Sequence, residues 1–269
     1  MSNRPSATDN RPGAISIEFV EFAAPDPAPL AALFEHLGFR AAARHRSKDV
    51  TLYQQGEINF IINATPGSFA QGFAAQHGPS ICALALRVPD ATRAYQQLLD
   101  QGAWEATTSA GAMELNIPAI ESIGGTQVYL VDRFGEDLSI YDVDFHPLQS
   151  DRPEQPELQR LSSLVLSVCA GRGDEWRDFF CRLFGFEAID ACNLKSPDGS
   201  FQLEIREGTA AGLDLTDEGI GALRLTSADP ARLCHRLKQA GIDPIPAGDG
   251  DIQLKLPVAN AAFDLIIGH

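Results

Sequence analysis

The chain has 269 residues, 44% apolar and 21% charged, enough for two modules with hydrophobic cores of their own and outside the range of disordered or fibrous chains. Its 36 acidic side chains against 21 lysines and arginines give a formal net charge of −15, which repels phosphate backbones and anionic lipid and argues against nucleic acid or a membrane surface as partner. The polar start, Met1 to Arg11, lacks the apolar stretch of a signal peptide, no apolar run reaches bilayer length, and the five cysteines form no Cys-x-x-Cys pair, so the sequence reads as cytoplasmic, without a disulfide framework or zinc site.

In chain order, Ile15 to Phe22 alternates with period two and predicts a strand. Leu30, Leu33, Phe34 and Leu37 recur at helical spacing and stop at Gly38, which predicts a helix. Strands are expected over Val50 to Gln54, Ile58 to Asn63 and Cys82 to Val88. A second helix starts at the cap Asp90, runs through Tyr95, Leu98 and Leu99, and ends at Gly102. Strands over Gln127 to Val131 and Leu138 to Val143 complete the first module. The polar, proline-rich stretch that follows reads as a linker, dividing the chain into modules 12–146 and 158–269 joined by 147–157.

The second module repeats the order. A strand over Leu164 to Val168 precedes a helix striped by Trp176, Phe179, Phe180, Leu183 and Phe184, which ends at Gly185-Phe186 as the first helix ends at Gly38-Phe39. Then come a turn at Pro197-Asp198-Gly199, a strand over Phe201 to Arg206 and another over Leu223 to Thr226. A helix from Asp229 to Gly241 follows, and strands over Ile252 to Leu256 and Ala262 to Ile267 close the module.

Strand alternation then sorts the side chains. Phe201, Leu203 and Ile205 form an apolar face; Gln202, Glu204 and Arg206 form the other. By the same rule Ser163, Ser167, Ala222, Arg224, Gln253, Lys255 and Asp264 stand opposite apolar neighbours. These polar sides would converge on one concavity, where the cations either bind a small carboxylate or pair with Glu204 and Asp264. The six histidines (His36, His45, His77, His146, His235, His269) fall at helical, linker, loop or terminal positions and read as structural.

Arg44-His45-Arg46-Ser47-Lys48 through Gly56-Glu57-Ile58-Asn59, His77-Gly78-Pro79-Ser80, Met113 to Ile120, Asp132-Arg133-Phe134-Gly135 and Ile140-Tyr141-Asp142 together resemble the amino-terminal half of bacterial 4-hydroxyphenylpyruvate dioxygenases. The resemblance implies an α+β fold of two tandem vicinal oxygen chelate modules, each pairing βαβββ units in a curved mixed sheet with helices outside. It also implies that the two histidines and one glutamate holding Fe(II) in the family fall on Ser163, Ala222 and Asp264, with first-module equivalents at Ser16, Ala83 and Asp142. No cofactor is therefore expected. The family's substrate-contacting positions fall on Lys195, Arg206 and Lys255, its carboxy-terminal lid helix has no counterpart in the second module, and its structural half mediates homo-oligomer contacts. The expected substrate-binding set is Ser163, Lys195, Glu204, Arg206, Arg224, Lys255 and Asp264, and the expected partner is a small anionic keto or aromatic acid. Three functions follow: a metal-free binder or converter of such an acid, an active iron oxygenase with an unusual ligand set, and a pseudoenzyme or assembly partner.

Overall fold

The computed structural model describes residues 16–108, 111, 114–135, 138–148, 156–208, 218–248 and 250–269; the linker residues 149–155, Ile15 and Met113 lie outside them. Two mixed eight-stranded sheets carry the chain. In the first, β1 (Ile17–Ala23), α1 (Ala28–His36), β2 (Arg40–His45), β3 (Val50–Gln55) and β4 (Ile58–Asn63) form a βαβββ unit in which β1 runs parallel to β4. After α2 (Phe69–His77), a second unit of β5 (Ser80–Arg87), α3 (Ala91–Asp100), β6 (Ala119–Glu121) and β7 (Gln127–Val131) joins the first through antiparallel β1 and β5. One-turn α4 (Ile140–Asp144) then leads into β8 (Phe145–Pro147), which extends the far edge of the sheet beside β2.

The second sheet is built alike. Strand β9 (Leu158–Val168), α5 (Gly173–Phe184), β10 (Glu187–Ala188), β11 (Asn193–Lys195) and β12 (Gln202–Glu207) make one unit. Strand β13 (Gly219–Ser227), α6 (Pro230–Gln239), β14 (Pro244–Gly248), β15 (Asp251–Leu254) and β16 (Asp264–Gly268) make the other, with β9 antiparallel to β13 at the seam. No helix among the described residues is long and apolar enough to cross a membrane.

Local chemistry explains most boundaries. Asp90 and Asp229 accept hydrogen bonds from the backbone N–H groups of Arg93 and Arg232 at 2.9 Å, capping α3 and α6. Gly185 ends α5 with φ +77° and ψ 22°, a left-handed cap. The expected strand over Leu138 to Val143 is instead α4: Ser139 caps Asp142 N–H, and the Asp142 carboxylate accepts from Ser139 N–H at 2.9 Å, a reciprocal capping box that starts a helix. Helix α2 has no counterpart among the expected elements. Its buried face is mostly small, Ala70, Phe73 and Ala74, with Ser68 capping Gln71 N–H.

The expectation of separate cores is replaced by a shared one. A single buried cluster runs from Phe22, Phe34 and Phe60 of the first module to Leu164, Leu183, Leu203 and Phe263 of the second. Phe22 packs edge-to-face on Phe34 and Phe60 at 5.0 and 5.1 Å between ring centroids, and lies 5.2 Å from Phe263. Polar clasps reinforce the join: Gln55 donates to Leu37 O and accepts from Leu158 N–H at 2.7 Å, and Ala262 N–H donates to Pro79 O at 2.8 Å. Helices α1, α3, α5 and α6 thus cover the sheet sides that face the shared core, while α2 and α4 pack on the opposite side of the first sheet.

Candidate functional site on the concave sheet faces

On the second sheet, register sets Gln202 beside Ser163, Ser163 beside Arg224, and Ala222 between Val165 and Asp264. Lys195 stands next to Gln202 across β11 and β12. Glu204 Oε1 accepts from Arg206 Nη2 at 2.7 Å and Nε at 3.2 Å, while its other oxygen lies 3.8 Å from Arg224 Nη2. Arg224 also pairs with Asp251. Glu204, Arg206 and Arg224 are therefore brought together, with Asp251 as a partner that the sequence reading missed. Its alternation with Gln253 on β15 was the available signal, but the expected strand began one residue later.

The remaining expected residues are more dispersed. Lys195 pairs with Glu187 at 3.2 Å on the sheet edge. Lys255 lies just past the end of β15 and is exposed, as is Asp264 at the start of β16. The Arg206 side chain keeps 55% of its exposure and Arg224 only 29%, so Arg206 is the cation more open to a solute. The floor beneath is apolar: Val165, Ala222 and Ile266 form a small buried cluster.

The first sheet carries a concavity of about 720 Å³. Across its floor, register aligns Ile61, Glu21, Ala83 and Gln127. The corresponding row of the second sheet is Glu204, Val165, Ala222 and Asp264. Stepping back two residues along β1 and β9 matches Phe19 to Ser163, so the first-module counterparts of Ser163, Ala222 and Asp264 are Phe19, Ala83 and Gln127. The expected Ser16 precedes β1 and Asp142 serves the α4 capping box; only Ala83 stands where the sequence comparison put it.

Glu21 is buried and accepts from Asn63 Nδ2 at 2.8 Å; burial raises its pKa above the ordinary carboxylate value. Burial likewise pushes the neighbouring Cys82 thiol and Tyr129 phenol well up, and lowers His45. Glu114, half-buried on the wall, is held in the opposite direction, to about 2, by hydrogen bonds from Lys48 first, then Ser47 and Gly111 N–H. A depressed carboxyl contributes stability above its unfolded pKa of 4.5 and loses it as the pH falls toward 2. Discounted for solvent screening, Glu114→Gln is expected to cost about 1–2 kcal/mol at neutral pH. Urea midpoints from pH 7 to 2 should converge for the two proteins at the acid end; a constant difference would contradict the pairing.

Residues 8–146 match the family described as hydroxyphenylpyruvate dioxygenase, HPPD, N-terminal, and residues 162–251 match the glyoxalase/bleomycin resistance protein/dioxygenase superfamily. The 4-hydroxyphenylpyruvate dioxygenase of Pseudomonas sp. (strain P.J. 874) is 40% identical over 256 residues, covering 87% of this chain and 72% of that protein. This chain belongs to the 4-hydroxyphenylpyruvate dioxygenase family.

Two further relatives show the modules inside longer proteins. The 3-dehydroshikimate dehydratase of Pseudomonas aeruginosa is 41% identical over 185 residues, 68% of this chain but 29% of that protein. A solved xylose isomerase-like TIM barrel/4-hydroxyphenylpyruvate dioxygenase fusion protein superposes with TM-score 0.77 at 25% identity, covering 99% of this chain and 52% of the fusion. The α+β arrangement of two tandem vicinal oxygen chelate modules is thus the family fold. Among the described residues, no group of three or more His, Cys, Asp or Glu is placed to hold a metal ion.

Proposed function

We propose that this member of the 4-hydroxyphenylpyruvate dioxygenase family does not assemble a ferrous centre, and that its second-module face binds a small organic anion, a keto or aromatic acid, which it sequesters or converts without metal. The observation that carries the reading is the chemistry of the three positions Ser163, Ala222 and Asp264, the last two in register and Ser163 two residues before Val165. They offer a hydroxyl, a methyl and one carboxylate where an oxygen-activating iron needs two imidazoles and a carboxylate with open positions. Ala222 is packed into the apolar floor, and the fixed positive charge of Arg224 follows Ser163 in register, clamped by Glu204 and Asp251. A divalent ion placed there would meet that guanidinium rather than a nitrogen lone pair, so the residues do not fit the group.

The same cations suit a carboxylate. Arg206 can exchange its one-sided contact with Glu204 for a bidentate contact with a ligand acid, while Arg224 stays locked and supplies field rather than contact. Lys195 extends the positive edge, Lys255 and Asp264 lie at the strand ends, and Ser163 offers a hydroxyl from the centre of the sheet. The relative named as a 3-dehydroshikimate dehydratase adds that compound to the acids worth testing.

Two measurements test the reading. After anaerobic incubation with Fe(II) and desalting, the chain is expected to retain far less than one iron, with no oxygen uptake on 4-hydroxyphenylpyruvate. In a thermal-shift series, at least one of phenylpyruvate, 4-hydroxyphenylpyruvate and 3-dehydroshikimate should raise the midpoint, since about 2.7 kcal/mol of stabilisation accompanies a concentration 100 times Kd. Arg206→Ala should abolish the shift. One iron per chain with homogentisate formation overturns the metal half of the reading; no shift with any acid overturns the ligand half and leaves an assembly module.

A further inference from the structure

The organic-anion reading makes no use of the cavity on the first sheet. Its volume of about 720 Å³ lies within the range of small-molecule sites. Aromatic and aliphatic walls, with Phe19 and Tyr129 at 5.8 Å between centroids, would enclose a ring. Two of the residues that line this space carry a buried oxygen without a hydrogen-bond partner, Gln127 Oε1 and Thr65 Oγ1. Leaving such groups unpaired costs about 1–3 kcal/mol each, an expense that a filled site removes.

Placement narrows the ligand further. Glu21 and Gln127 flank Ala83 on neighbouring strands, so their Cα atoms stand about 10 Å apart with a methyl between them. Ala83 between them is fully buried under Ala70, Phe73 and Ala74 of α2, so the acid and the amide, not the methyl, line the cavity. Charge narrows it again: Lys48 pairs with Glu114 at 2.8 Å and Asp144 with Arg46 at 3.4 Å, and the exposed Glu121 adds a further carboxylate to the lining, so no cation of the wall is left over for a ligand anion. A ligand carboxylate would meet Glu21 at the bottom of the cavity.

We propose that the first-module cavity is a binding site for a neutral aromatic ring bearing hydroxyl groups. Ligand hydroxyls donate to Gln127 Oε1 and Thr65 Oγ1, and the ring lies against Phe19 and Tyr129. Asn63 keeps one Glu21 oxygen occupied. This site differs in module and in ligand charge from the organic-anion face, and it stands or falls independently of that reading.

Calorimetric titration of the full chain with resorcinol, benzoate and benzylamine tests it. Resorcinol should saturate one site per chain; benzoate and benzylamine should bind at least tenfold more weakly. Gln127→Leu and the nearly isosteric Thr65→Val, each confirmed as folded by circular dichroism, should each weaken resorcinol at least tenfold. Saturating phenylpyruvate should leave the resorcinol titration unchanged. Absence of saturable resorcinol binding, unchanged affinity in folded Gln127→Leu and Thr65→Val, or tighter binding of benzoate or benzylamine would overturn the proposal.

Discussion

Gly124→Ala is expected to destabilise the protein by about 2–5 kcal/mol and to lower its melting midpoint by roughly 5–15 °C. Gly124 sits in the short turn Ile123–Gly125 of the first module with φ +60°, a left-handed conformation that costs an L residue about 1–2 kcal/mol. Its missing side chain is also where the second module arrives. An added Cβ would overlap the backbone carbonyl of Glu218, just before β13. That carbonyl cannot retreat cheaply, because the Glu218 side chain is buried, paired with Arg172, and hydrogen-bonded to Cys169 N–H at 2.9 Å and Trp176 Nε1 at 3.3 Å. Gly125→Ala provides the control: φ is +75° but nothing lies within 4 Å of its added Cβ, so only the backbone penalty applies. Thermal melts of the two variants separate the terms, and equal losses would show that the contact between modules adds nothing.

Phe22→Ala should cost about 3–5 kcal/mol, and it should weaken both modules at once. The ring is fully buried, touches Phe34 and Phe60 within its own module, and reaches Phe263 of the other. Removing it opens a cavity at the centre of the shared cluster, where the surroundings are other aromatic rings that cannot close on it. Urea unfolding followed by far-ultraviolet circular dichroism and by fluorescence of half-buried Trp176 should give coincident transitions in parent and variant. A first-module transition displaced from the Trp176 signal would contradict the shared core.

Much of the fold was legible because it is written in local patterns. The alternation of β1, β12 and β13, the aspartate caps of α3 and α6, and the glycine after α5 each depend on neighbours a few residues away. Short strands such as β2, β11 and β14 were not foreseen, and two other misread regions have local causes. Segment 138–143 contains alternating apolar residues, yet Ser139 and Asp142 satisfy each other's backbone groups and start a helix; α2 buries alanines that give little amphipathic signal.

The candidate sites were legible only by half. Alternation placed Glu204, Arg206 and Arg224 on one face, and the structure joins them. Which residue of β1 stands beside which residue of β5 or β7 is fixed by long-range register, and no periodicity within a strand reveals it. That is why Ser16 and Asp142 were expected where Phe19 and Gln127 stand, and why the floor row of Glu21, Ala83 and Gln127 went unseen. Packing partners escaped for a similar reason: an apolar strand face announces that it is buried but not which sheet buries it.

Phe263 meets Phe22 across nearly the whole length of the chain. During synthesis the first module therefore leaves the ribosome with its aromatic centre uncovered, and β1 waits for the last strands before its packing is complete. A pause in synthesis between the modules should consequently prolong the exposure of Phe22, Phe34 and Phe60 to water.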